Sequence, residues 1–311
     1  MFSKKLLIPL LSLSLLVTPA YSSHAAENAE AAGTSVEGQG MLSPSSSSES
    51  SESVFNGSGA GTSSEPVTDE KLETILKQVQ SQLPAENGTW AVFISDLVNG
   101  TEGSLNDQKM QAASLIKLYI MGAVYENYDQ ITGQYGSDSV DSNLYSMITV
   151  SDNDAANTLT TYLGGGDSTA GMQAVNSFCQ AHGYDQTHMG RMLLASNEND
   201  DNYTSVGDCG HLLQEIYKQD TSGYTHAADM FNLLKAQTRC NKIPAQLPEG
   251  VKTANKTGEL DNVENDAGIL YDTNSGNDLV ICFLSENLTD TAAAQSTIAQ
   301  LSRTIYLTYN G

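Results

Sequence analysis

Residues 112–118 read Ala112-Ala113-Ser114-Leu115-Ile116-Lys117-Leu118. The run continues through Ile120, Met121, Ala123 and Val124 to Tyr125, apolar on nearly every side. That pattern predicts a central, buried helix rather than a surface one. Ser114 and Lys117 lie three positions apart and share a helix face, hydroxyl beside amine. A serine is a poor nucleophile until a neighbour takes its proton. A lysine among side chains such as Leu118 and Ile120 loses solvation and becomes a base nearer neutrality. Alone, Ser-x-x-Lys is weak evidence, because polar pairs on ordinary helices repeat it by chance. The apolar setting strengthens it, since a lysine buried in mid-helix needs a partner.

Upstream, Thr68 reads as a helix cap with Asp69 and Glu70 in the first turn. Leu72, Ile75, Leu76, Val79 and Leu83 follow at helical spacing. Asn87-Gly88 breaks that helix, Trp90 to Asp96 reads as a strand, and Asn99-Gly100 is a hairpin turn into a second strand. Downstream, residues 151–163, 171–182, 206–218 and 227–238 read as helices, the first closed by the glycines at 164–166. Strand character returns at 268–271 and 278–284, and a helix over 291–307 closes the chain. Strands supplied from both ends must meet in one antiparallel sheet, with the helical middle inserted beside it. Residues 67–311 are thus expected to form one α+β domain with a helical lobe.

Two further short motifs stand out. Ser151-Asp152-Asn153 heads a predicted helix and supplies a second hydroxyl and an amide able to donate and accept. By itself it is an ordinary helix cap. Lys256-Thr257-Gly258 stands ahead of a predicted strand. Its cation and hydroxyl could hold a carboxylate, and its glycine would let a substrate backbone approach. By itself it is a strand edge ending in a turn, and nearby Lys252-Thr253-Ala254 shows how readily such tripeptides arise.

In this order, with the first on a buried helix and the third before the C-terminal strands, the motifs resemble those of the penicillin-recognising serine enzymes. Among these the likeness is to the class A β-lactamases. It extends over Thr68 to Gly311: Met147 to Asn153 with Ala156 and Asn157, a Leu-Pro-x-Gly turn at Leu247 to Gly250, and Asp266-Ala267-Gly268. The resemblance implies a five-stranded antiparallel sheet flanked by helices with a helical lobe. It implies that Ser114 attacks a β-lactam or D-alanyl-D-alanine carbonyl, with Lys117 accepting the proton directly or through a relay. Ser151, assisted by the field of Lys256, would pass a proton to the leaving nitrogen. Asn153 would bind the acylamide side chain, and Lys256 and Thr257 the substrate carboxylate. The backbone N–H groups of Ser114 and of Glu259, just after Gly258, would form the oxyanion hole, the latter on an edge strand.

The departures carry as much information. Class A enzymes hydrolyse the acyl-enzyme with water activated by a glutamate in an Arg-x-Glu loop that ends, three residues on, in Asn. Arg191 and Asn197 match both ends, but Leu193 occupies the glutamate position. Glu198, one residue beyond Asn197, is a poor substitute, because general-base work does not tolerate a displacement of about 1 Å. Acylation is expected to survive and deacylation to be slow. Only 36 residues separate Ser114 from Ser151, with residues 131–141 replacing a longer segment, which predicts a wider cleft near Tyr135 and Tyr145. The arginine that commonly binds the carboxylate is missing around Asn265, where Glu264 and Asp266 would repel an anion. Arg239 and Lys242 are candidate substitutes. Glu259 beside an oxyanion donor is an oddity unless its side chain turns away.

The N-terminal flank reads as an export segment. Lys4 and Lys5 precede the apolar run Leu6 to Val17, which is too short to span a bilayer, and small residues follow with candidate cleavage points after Ala20, Ala25 or Ala26. Residues 27–66 form a low-complexity tether, and half of residues 43–64 are serine. The expected location is secreted or cell-surface, as a monomer without a transmembrane segment. A net charge of −23, from 14 basic and 37 acidic side chains, argues against nucleic-acid partners and anionic membrane surfaces. Of the cysteines at 179, 209, 240 and 282, the pair 209–240 is the disulfide to test first, and Cys282 reads equally as a core thiol. Glu198, Asp200 and Asp201 read as a solvated turn, and the histidines show no zinc spacing, so no metal or other cofactor is expected.

Three activities stay open on these residues. One is a β-lactamase-like hydrolase with slow deacylation. The second is a D,D-carboxypeptidase acting on peptidoglycan stem peptides, and the third a β-lactam-binding domain without turnover.

Overall fold

The computed structural model describes residues 69–273 and 276–311. The expected export segment, the tether and Thr68 lie outside them. Asp69 itself caps helix α1 (Glu70–Gln82), its Oδ1 accepting from the backbone N–H groups of Lys71 and Leu72. Strand β1 (Thr89–Asp96) turns at Asn99-Gly100 into β2 (Thr101–Leu105). The Asp96 carboxylate ties that turn by accepting from the Val98 and Asn99 amides. After a short strand β3 (Met110–Gln111), a single 3-10 turn over Ala113–Leu115 leads into α2 (Ile116–Glu126). The lobe continues through α3 (Tyr128–Tyr135), α4 (Ser137–Thr149), α5 (Asn153–Leu163) and α6 (Ser168–Ala181). Short strands β4 (His188–Met189) and β5 (Asn202–Thr204) pair with β3, and then come α7 (Val206–Tyr217) and α8 (Ala227–Lys235). Strands β6 (Lys252–Leu260), β7 (Val263–Tyr271) and β8 (Leu279–Glu286) precede the closing helix α9 (Thr291–Asn310).

The main sheet has the order β2-β1-β8-β7-β6 and is antiparallel throughout. Its central strands bury both faces, and the strand period sorts the side chains between two cores. Trp90, Val92 and Ile94, with Leu279, Ile281 and Phe283, pack toward α1 and α9. Ala91, Phe93, Val280, Cys282 and Leu284 pack toward the helical lobe. Helix α2 lies inside that second core, with every residue from Ile116 to Tyr125 buried, as its unbroken apolar character predicts. The five-stranded sheet with a helical lobe inserted between its N- and C-terminal strands is therefore the fold expected from the motifs. No helix among the described residues is long and apolar enough to cross a membrane.

Several local expectations are corrected. Lys256-Thr257-Gly258 lies inside β6, not ahead of a strand; the long pairing with β7 carries the strand through the motif and on to Leu260. Residues 128–149 form two helices broken at Gly136, whose φ of +85° suits glycine. Tyr135 stacks on Tyr162 within the lobe. Tyr145 is exposed and lines a separate cavity with Tyr125, Tyr128 and His226, so neither tyrosine reaches Ser114. The 209–240 disulfide does not form, because Cys209 faces the core beside Tyr119 while Cys240 lies exposed beyond α8. All four cysteines are free thiols.

Candidate active site

Three elements meet where the motifs fall. The 3-10 turn before α2 carries Ser114, the connection into α5 carries Ser151, the first residue of α5 is Asn153, and β6, the edge strand, carries Lys256 to Glu259. The last approach is close enough to require glycine. A Cβ on Gly258 would sit 2.9 Å from the Ala112 carbonyl oxygen and 3.2 Å from the Ser114 and Leu115 amide nitrogens. Strand β6 therefore runs directly against the Ser114 backbone. Two non-glycine residues here have left-handed backbone, Ala113 (φ +47°) and Ser151 (φ +62°), a conformation that persists only where surrounding structure enforces it.

Lys117 is fully buried at the centre. Its Nζ lies 3.1 Å from Ser114 Oγ, 2.6 Å from the Ser151 carbonyl oxygen, 3.1 Å from Ser151 Oγ and 2.7 Å from Asn153 Oδ1. An ammonium has three protons for these four oxygens. A neutral amine can donate to the two carbonyl oxygens, of Ser151 and Asn153, and take a hydrogen bond from one serine hydroxyl, which is the arrangement a base needs. Burial, with help from the Arg239 charge and against the pull of Asp152, brings the Lys117 pKa down to about 8. On the other side, Lys256 Nζ donates to Ser151 Oγ at 2.9 Å and to the Thr257 carbonyl at 2.7 Å. Complete burial, then the neighbouring charges of Lys117 and Arg239, hold Lys256 well below the ordinary lysine range. Ser151 Oγ thus sits between two amines that have lost much of their preference for the charged form. The cluster can accept a proton from Ser114 and return one through Ser151.

Ser114, Asn153 and Glu259 line both of two adjoining cavities. The smaller, about 170 Å³, is completed by Ser151, Thr257 and Arg239. The larger, about 490 Å³, extends past Leu193 and Asn197. Of the nine expected site residues, Ser114, Ser151, Asn153, Asn197, Thr257 and Glu259 line these cavities, the buried Lys117 and Lys256 bond to the serine hydroxyls, and Gly258 packs against the Ser114 backbone. Of the two substitutes for the missing arginine, only Arg239 reaches the cleft. Lys242 is fully buried beneath, bridging Glu259 and Glu264. Glu264 is accordingly neutralised rather than left to repel an anion. Asp266 accepts from the Ile243 amide and from Asn255, and its complete burial pushes its pKa up to about 6 despite Lys242 and these bonds.

The loop after β4 is pinned in place. Arg191 Nε donates to Asp201 at 2.6 Å, Gln111 and Asn197 donate to the same carboxylate, and Asn202 Oδ1 accepts from the Gly190 and Arg191 amides. Asp201 is buried, which corrects its reading as part of a solvated turn. Glu198 is exposed and lines neither cavity. Sequence reasoning missed both the Asp201 anchor and the cationic partners of Glu259, because neither pairing shows in local spacing.

The sequence profile described as the Beta-lactamase enzyme family matches residues 71–140 and 137–309. No curated protein matches the chain. Among solved structures, a β-lactamase from Sphaerobacter thermophilus DSM 20745 is 23% identical with a TM-score of 0.64, covering 76% of this chain and 97% of its own. The structure of PBP-A is also 23% identical, with a TM-score of 0.66, covering 76% of this chain and 96% of its own. A variant of PBP-A with leucine replaced by glutamate, solved as an acyl-enzyme complex with penicillin G, matches at 23% identity and a TM-score of 0.66, covering 76% and 97%. By the profile that spans most of its length, this chain belongs to the beta-lactamase enzyme family.

Proposed function

We propose that this protein is an exported serine acyl-transfer hydrolase that reacts with β-lactams through Ser114 and releases the acyl group slowly. Lys117 Nζ takes the Ser114 hydroxyl proton as Oγ bonds to the carbonyl carbon. The carbonyl oxygen gains negative charge beside the Ser114 and Glu259 amides. As the C–N bond breaks, the leaving nitrogen takes the proton of Ser151 Oγ, which is restored from the lysine cluster. Asn153 offers its amide to the acylamide side chain, and Thr257 and Arg239 face the substrate carboxylate. The observation that carries this reading is the contact of Lys117 Nζ with both serine hydroxyls, each at 3.1 Å. A penicillin acyl-enzyme in a structural relative supports β-lactams as ligands.

Slow release follows from Leu193, which faces the larger cavity without a group able to accept a proton. Intact-mass measurement after mixing with benzylpenicillin should find one long-lived adduct that is absent in Ser114→Ala. No adduct on the native chain would end this reading. Leu193 also favours a second reading, a D,D-carboxypeptidase on wall stem peptides. Release of D-alanine from a pentapeptide would support it, and its absence across several cross-bridge types would count against it.

A further inference from the structure

We infer that Glu259 is a positioning residue that holds the Arg239 guanidinium at the rim of the small cavity, where it receives a carboxylate on the leaving-group side of the substrate. The inference deepens the proposed acyl-transfer reading and rests on it for the identity of the ligand. Four charges alternate in sign from the interior to the rim. Glu264 Oε1 accepts from Gln295 of α9 at 2.9 Å, and its Oε2 pairs with Lys242 Nζ at 2.7 Å. Lys242 Nζ reaches Glu259 Oε1 at 3.0 Å, and Glu259 Oε2 pairs with Arg239 Nη1 at 2.7 Å. Side-chain exposure along the row is 5%, 0%, 30% and 45%, so the ladder is anchored in the core and ends in the cleft.

Both Glu259 oxygens are occupied by cations, which compensate its charge beside a developing oxyanion. Burial would push its pKa up, but Lys242 and Arg239 hold it below the ordinary glutamate range, so Glu259 stays charged. The base of the ladder is fixed, since the Ile243 amide next to Lys242 donates to Asp266. The backbone at its tip is fixed as well. Gln237 Oε1 accepts from the Thr238 and Arg239 amides, and the Thr238 amide donates to the Thr149 carbonyl at the end of α4. What remains free is the direction of the long Arg239 side chain, and Glu259 sets it through one guanidinium nitrogen. The other donors of the planar fork are left for a ligand in the cavity shared by Ser114, Ser151 and Thr257.

Removing the Glu259 charge also lessens repulsion of any anion nearby, so absolute rates confound two effects. The ratio between a carboxylate ligand and its ester separates them. Equilibrium binding of benzylpenicillin and its methyl ester is measured on the Ser114→Ala background, where no acylation is needed. We expect preference for the acid over the ester, reduced roughly tenfold by Glu259→Gln and to a similar extent by Arg239→Ala, with little further loss in the double variant, as for one charged hydrogen bond. An unchanged or increased preference in folded Glu259→Gln would overturn the positioning role, as would independent losses that multiply. Equal binding of acid and ester by the Ser114→Ala protein would overturn the subsite itself. If these ratios behave as expected but the native chain forms no adduct, the acyl-transfer reading fails and the ladder stands.

Discussion

The backbone of Leu193 is clamped by the side chain of Asn157. The Leu193 N–H donates to Asn157 Oδ1 at 2.8 Å, and Asn157 Nδ2 donates back to the Leu193 carbonyl at 3.1 Å. Asn157 projects from α5, the helix headed by Asn153, so the clamp ties the loop to the same element that carries part of the site. Whatever side chain stands at 193 is thereby held beside the cavity of Ser114.

Leu193→Glu should therefore place a proton acceptor where the loop can use it. A positioned general base contributes about 10²- to 10⁴-fold, so the penicillin adduct should be hydrolysed faster by a factor in that range. The rate of adduct formation should change far less. Following the adduct mass against time checks this, and an unchanged lifetime in a folded variant would show that no hydrolytic water is served from position 193.

Lys117 must be neutral to accept the Ser114 proton. With its pKa near 8, acylation should rise about tenfold per pH unit below that value and level off above it. The stability linkage has the opposite origin from a salt bridge. A lysine depressed from its ordinary 10.5 to about 8 leaves the native state with fewer bound protons than the unfolded chain between those values. Its contribution to folding stability therefore rises with pH across that window. Stopped-flow acylation from pH 5 to 9.5 tests the kinetic half, and a flat profile would remove Lys117 as the base.

The two ends of the fold and the cluster around Ser114 were legible because each rests on local pattern. Asn99-Gly100 marks the first hairpin, the unbroken apolar run marks α2, and each motif carries its chemistry within a few residues. Long-range pairings were not legible. Glu259 reads as an isolated oddity until Lys242, 17 positions earlier, is found buried beneath it. Asp201 reads as a surface acid until Arg191 and Gln111 converge on it. The paired helices over residues 128–149 escaped because their turns are polar and short, so periodicity alone did not separate them from a loop. The 209–240 disulfide failed because nearness in an imagined helix pair says nothing of which way each thiol points.

Gly258→Ala forces a methyl group against the Ala112 carbonyl and the Ser114 amide, both backbone atoms that cannot swing aside. Overpacking of this kind costs about 1–3 kcal/mol. A shift of β6 away from Ser114 should also slow acylation by up to about 10²-fold, since reacting geometry is that sensitive. Thermal unfolding and adduct formation measured on the same sample check both, and full-rate acylation would mean that the contact is not part of the site.

Thiol labelling tests the cysteine assignment. Cys240 is exposed, while Cys179, Cys209 and Cys282 are buried with pKa values pushed up chiefly by burial. Native protein should take up one equivalent of iodoacetamide, on Cys240, and denatured protein should take up four without reductant. A labelling total of two after denaturation would restore a disulfide.

Asp201 holds the loop from its far end. It is almost wholly buried, and although burial alone would raise its pKa, the bonds from Gln111, the Asn202 amide and Arg191 hold it below the ordinary carboxylate value. A carboxylate with a lowered folded pKa stabilises the native state above its unfolded value and loses that contribution as pH falls through the folded one. Asp201→Ala strands a largely buried Arg191 without its partner, a change expected to cost about 3–5 kcal/mol. The same substitution loosens the segment between Arg191 and Asn202, leaving the Asn157 clamp and the Asn202 bonds to the Gly190 and Arg191 amides to position residue 193. Combined with Leu193→Glu, it should therefore erase most of the gained deacylation while leaving adduct formation through Ser114 and Lys117 in place. Adduct lifetimes for the single and double variants, measured below their melting temperatures, decide the matter: full retention of the gain would mean that the clamp suffices and that Asp201 serves stability alone.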